Sequence, residues 1–115
     1  LLAAAEVVRA DPPRITQGDL LTSLESVAAE APEGATLVVF HTAVLAYLER
    51  SARARFVDLV ASMPGHWISN EGQGIVPGIE SPRTDEGEGV PFLLALDGQA
   101  VAFAAPHGER LFWLE

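Results

Sequence analysis

The sequence predicts an α/β fold, a Rossmann-like three-layer sandwich with parallel strands at about 14–18, 36–40 and 66–70 followed by an antiparallel meander at about 91–97, 100–105 and 110–114. Three observations predict it. Thr36-Leu37-Val38-Val39-Phe40 is apolar and β-branched without interruption, the pattern of a strand covered on both faces inside a parallel sheet. His66-Trp67-Ile68-Ser69-Asn70 follows about 30 residues later, the length of a βαβ unit. Phe92–Leu96, Ala100–Ala104 and Leu111–Leu114 are then separated by Asp97-Gly98 and His107-Gly108, both hairpin signals.

The chain opens in a helix, with Leu2, Ala5 and Val8 at helical spacing, and Asp11-Pro12-Pro13 ends it because residues before proline are pushed out of the α region. Arg14-Ile15-Thr16-Gln17-Gly18 is the first expected strand. Asp19 then stands where it caps a helix whose apolar face is Leu20, Leu24, Val27, Ala28 and Ala31, up to Pro32-Glu33-Gly34. After strand 36–40, Thr42 is placed to cap a short turn over 43–48. Ser51 is placed to cap a helix carrying Phe56, Leu59, Val60 and Met63 on one side, stopped by Pro64-Gly65. Between Glu71 and Gly89 five glycines, two prolines and no apolar periodicity predict a long loop.

One core is the limit for 115 residues, and 1–115 reads as a single domain. No run approaches the ~18 apolar residues of a bilayer span. The first residues lack the basic region of a signal peptide, and the absence of cysteine excludes disulfides, so a cytoplasmic setting is expected. Sixteen acidic against seven basic residues give a net charge of −9, which repels phosphate backbones and argues against a nucleic-acid partner.

Ligands of open α/β sheets sit beyond the carboxyl ends of the parallel strands, and polar residues cluster there: Asp19, then His41 with Thr42, then Asn70 with Glu71. Asp19 is a helix cap, an acceptor for a ligand's amino group, or both. His41 is a general base or a structural histidine bonded to a loop carbonyl; Glu71 is a base, a metal ligand or a loop anchor. Asn70 is a turn residue or, with Tyr47, a substrate contact; Tyr47 and Trp67 otherwise serve packing. His107 reads as an exposed hairpin residue. Asp19, His41, Glu71 and His107 are metal-compatible, yet no ligand spacing supports a metal site. Gly72-Gln73-Gly74 does not run into a helix as a dinucleotide loop would, and Ser69 lacks the flanking glycines of a nucleophile elbow.

Asp11-Pro12-Pro13-Arg14, Gly18-Asp19-Leu20, the run Ala35 to Leu48 and Trp67-Ile68-Ser69-Asn70-Glu71 together resemble the carboxyl-terminal part of the uncharacterised, mainly actinobacterial family catalogued as domain of unknown function 2332. That family is in turn distantly similar to class I S-adenosylmethionine-dependent methyltransferases in the later half of their sheet. The resemblance implies that Asp19 contacts the adenine, that Phe40, His41 and Thr42 face cofactor and substrate, and that Asn70 and Glu71 lie nearer the substrate. The glycine-rich first strand and the ribose-binding acid of such enzymes are absent, and members are longer, which implies a carboxyl-terminal portion of a larger fold.

Three functions are therefore in view. The parent is an S-adenosylmethionine-binding, methyltransferase-like enzyme with a small-molecule substrate; or the chain is a non-catalytic interaction domain; or it is a hydrolase using His41 and Glu71. In a methyltransferase-like sheet the loss of the first two strands would leave strand 36–40 with an exposed edge, to be covered by strand 14–18 moving in beside it, by an upstream segment or by a second copy in a homo-oligomer.

Overall fold

The computed structural model of the chain describes residues 2–82, 92–105 and 107–114. The elements in order are α1 (Leu2–Ala10), α2 (Leu20–Ala28), β1 (Val38–Thr42), a 3₁₀ turn (Leu45–Tyr47), α3 (Arg50–Ser62), β2 (His66–Gly72), β3 (Phe92–Leu96), β4 (Gln99–Ala104) and β5 (Leu111–Trp113). The strands form one sheet in the order β1-β2-β3-β4-β5, with β1 and β2 parallel and every later pair antiparallel.

Asp19 starts α2 as expected: its Oδ1 accepts from the backbone N–H groups of Leu21 and Thr22 at 2.9 and 3.2 Å. In α3, Phe56 and Val60 stand four residues apart and are both buried, the stripe that fastens the helix to the sheet. Glu49, not Ser51, occupies its N-cap, and Arg53 holds the preceding turn by donating to the carbonyls of Leu48 and Ala46. Pro64-Gly65 ends the helix and reverses the chain, Gly65 at φ +96°, so that the His66 N–H reaches the Leu37 carbonyl at 2.9 Å and sets the parallel register. Asp97 and Gly98 both have positive φ, 50° and 82°, the two-residue turn whose twist matches an antiparallel hairpin.

Two expectations are corrected. Residues 14–18 form no strand: Ile15 is 88 % exposed, and Arg14 pairs with Glu30 beyond the end of α2. The outer edge of β1 is therefore bare among the described residues. Second, β1 runs about two residues later than expected, over 38–42, and β2 starts at His66 as expected but continues to Gly72, which brings His41, Thr42 and Glu71 into the ladder beside Asn70. Of the expected loop 71–89, residues 83–89 lie outside the described residues, as do Pro91 and Pro106.

The register divides the sheet into two unlike faces, because directly paired residues share a side. Val39 with Trp67, His41 with Ser69 and Ala95, and Glu71 with Leu93, Phe103 and Phe112 lie on one face. The core of Leu45, Phe56, Val60, Trp67 and Val76 forms against it, with Leu20, Leu21 and Leu24 of α2 packed on that core. The other face carries, beyond the pair Val38-His66, three rows: Phe40-Ile68-Leu96, Thr42-Asn70-Leu94-Ala102-Trp113 and Gly72-Phe92-Ala104-Leu111. There Phe40 is 75 % and Trp113 71 % exposed, while α1 buries no residue. Among the described residues the architecture is thus a mixed α/β sheet with α2 and α3 on one face.

Candidate functional site: a buried His–Glu–Trp network

β1 and β2 place His41 and Glu71 on the helix-covered face, Glu71 two residues beyond Ser69, the partner of His41, so their side chains converge. His41 Nδ1 lies 2.7 Å from Glu71 Oε1. The same oxygen accepts from the backbone N–H groups of Val44 and Leu45 at 2.8 and 3.0 Å, and Ala43, at φ 53°, is where the chain turns back to bring them there. On the far side of the ring the Trp67 indole N–H donates to His41 Nε2 at 3.0 Å. An indole nitrogen only donates, so Nε2 is an acceptor and the ring proton sits on Nδ1, donated to Glu71.

The ring is also clamped by packing. Phe56 meets it edge-on with centroids 5.2 Å apart, and the Trp67 ring stacks at 6.1 Å. The side chains of His41 and Glu71 are 7 % and 1 % exposed. Both imidazole nitrogens are committed within the protein, and Glu71 does for the 3₁₀ turn what a capping residue does for a helix: it satisfies N–H groups that have no partner in the turn. Chemically the arrangement holds one tautomer in place and ties the end of β1 to β2.

The other anticipated residues are distributed elsewhere. Thr42 Oγ1 accepts from Asn70 Nδ2 at 3.1 Å, and the Asn70 carbonyl takes the Ala43 N–H, so these two lock the strand ends together on the opposite face. Phe40 also points to that face. Tyr47 is 89 % exposed at the end of the 3₁₀ turn, where a packing role had been an alternative. Asp19 caps α2, and His107 is exposed. Among the described residues no group of three or more His, Asp or Glu is placed to hold a metal ion.

Sequence reasoning missed Trp67 as a polar partner. The period-two spacing of Trp67, Ser69 and Glu71 was the signal, since it puts all three on one face. It also missed His66 with Asp97. Asp97 Oδ1 accepts the Trp67 backbone N–H at 2.7 Å and Oδ2 pairs with His66 Nδ1 at 2.8 Å. These bonds, the backbone one first, hold the Asp97 carboxyl below its ordinary value of 3.8. A lowered carboxyl stabilises the fold fully above pH 3.8 and loses that contribution as pH falls through its folded-state value. Asp97→Asn is expected to flatten the acid limb of the stability profile, measured by urea midpoints between pH 5 and pH 2. An unchanged slope would place the acid sensitivity elsewhere.

No helix among the described residues is long and apolar enough to cross a membrane. No curated protein and no solved structure matches the chain. A family model described as an uncharacterized protein conserved in bacteria, DUF2332, matches residues 1–113, and the chain belongs to that family.

Proposed function

We propose that this chain is a non-catalytic assembly module whose less-covered sheet face takes a second copy of the same chain. The observation that carries the reading is the row structure of that face, with Phe40 and Trp113 exposed at its two ends. Exposed aromatic and aliphatic patches of this kind mark interaction sites. Two further features favour a copy as the occupant. None of the sixteen acidic residues falls in the three rows, so the net charge of −9 does not oppose their meeting. The chain also carries an apolar helix, α1, that buries no residue, with Leu2, Val7 and Val8 each more than half exposed. A two-fold dimer lets each face and each α1 find cover reciprocally.

A second reading has one observation of its own. Two open grooves of about 440 and 280 Å³ share Arg14, Thr16, Leu24 and Val27; one reaches Phe40 at the bare edge of β1 and the other reaches Asp19. They offer a continuous path between two of the residues that a methyltransferase-like parent would use for S-adenosylmethionine. Because Oδ1 of Asp19 carries both cap bonds, a ligand's amino group would be met by Oδ2. Thr42 lines neither groove. The hydrolase reading gains no such support, since both nitrogens of His41 and Oε1 of Glu71 spend their hydrogen bonds within the fold and both side chains are buried.

One preparation tests both readings. Light scattering is expected to give twice the 12.2 kDa chain mass at micromolar concentration, and the doubly substituted Phe40→Glu, Trp113→Glu chain is expected to run as a folded monomer. A wild-type chain that stays monomeric at the highest soluble concentration overturns the assembly reading. Titration with S-adenosylhomocysteine covers the other reading: saturable heat, weakened by Asp19→Asn, which keeps a capping oxygen, supports it, and no heat at millimolar ligand removes it.

A further inference from the structure

Two buried oxygens in the network have no hydrogen-bond partner among the described residues: Ser69 Oγ and Glu71 Oε2. Each residue is 1 % exposed. They stand two apart on β2, and alternation along a strand puts both side chains on the helix-covered face. Both line the same small cavity, together with Gly72, Gly74, Val76, Ile79 and Leu93, with a volume of about 10 Å³. Leaving a buried hydroxyl and a buried carboxylate oxygen unpaired is costly, and native interiors rarely tolerate one such group, let alone two facing one space.

We propose that this cavity is a built site for one buried water molecule, bonded to both Ser69 Oγ and Glu71 Oε2. The size fits, because a space of about 10–15 Å³ accommodates one probe sphere of water dimensions. The donor count fits as well. Glu71 Oε1 already takes three N–H groups while Oε2 takes none, so the carboxylate needs a donor on its second oxygen. Water supplies that proton and still has one for Ser69, whose hydroxyl both gives and accepts. A sodium ion would need five or six oxygens around it, and the lining offers two side-chain oxygens among apolar groups and glycines. The water extends the chain of bonds from Trp67 through His41 and Glu71 to Ser69, so that three successive inward-facing positions of β2 belong to one polar network.

A high-resolution crystal structure of the chain tests this directly. The expected result is one isolated density peak about 2.7–3.0 Å from both Ser69 Oγ and Glu71 Oε2. In solution, long-lived water gives cross-relaxation peaks at the amides of Gly72 and Gly74, and Ser69→Val, whose methyl groups fill the space, is expected to abolish them. Ser69→Ala, which keeps the space and one anchor, is expected to retain them at reduced intensity. A cavity without density, or Ser69 bonded directly to Glu71, overturns the proposal. So does a peak with short contacts near 2.4 Å that gives anomalous signal after a thallium soak, which assigns a monovalent cation instead.

Discussion

Glu71→Ala is expected to lose about 3–5 kcal/mol of folding stability, a large share of the roughly 5–15 kcal/mol that holds a domain of this size. The substitution does more than delete a carboxylate. It leaves the His41 Nδ1–H and the backbone N–H groups of Val44 and Leu45 without their acceptor in a site where water has little access. Each orphaned buried donor costs about 1–3 kcal/mol, and relaxation around a new cavity recovers part of the sum. Glu71→Gln keeps an oxygen for the three donors and is expected to lose only about 1–2 kcal/mol, its amide replacing Oε2 next to Ser69. A double-mutant cycle with His41→Ala should give a coupling of about 0.5–3 kcal/mol, read from urea midpoints at constant slope. The same series separates structure from catalysis. A pair kept for chemistry tends to be neutral or stabilising to remove, so a Glu71→Ala chain as stable as the wild type would count against the buried-hub description.

Why that hub was only half legible follows from where the strands end. The apolar run 36–40 announces a strand, but the ladder continues through His41 and Thr42, because their backbone groups pair with β2 whatever their side chains are. Polar side chains inside a strand look like a strand's end when pairing is not visible. The same holds for Asn70 and Glu71, which pair with Leu94 and Leu93. Asp19 before Leu20 and the Asp97-Gly98 turn were legible because their chemistry is local: a cap bonds two or three residues on, and a two-residue turn selects for residues that accept positive φ. His41 with Glu71 and Trp67 with His41 are separated by 30 and 26 residues, and only the sheet register joins them. Arg14–Gly18 misled for the opposite reason. Its β-favouring residues, Ile15 and Thr16, are real, but two prolines precede them, and the stretch leaves the nearby edge of β1 unpaired while Arg14 is tied to Glu30.

Gly65→Ala is the second large effect expected, about 3 kcal/mol or more, from strain that a single methyl group introduces twice over. At φ +96° an L-residue is disfavoured by about 1–2 kcal/mol before any neighbour is considered. A Cβ built there would also lie 2.1 Å from the Leu37 carbonyl oxygen and 2.9 Å from its carbon, well inside contact distance and against backbone rather than a mobile side chain. That carbonyl is the acceptor of the His66 N–H, the bond at the start of the parallel pairing of β1 with β2. Moving it disturbs the register on which the convergence of His41 and Glu71 depends. Gly34, Gly78 and Gly108 provide the control, with positive φ near 80° and open space where the methyl would go. Alanine at any of them is expected to cost only the backbone preference, about 1 kcal/mol. Urea denaturation of the four single variants measures the difference. Equal losses at Gly65 and Gly34 would show that the turn has room to spare, and the close approach of α3's end to β1 would then not be what sets the register.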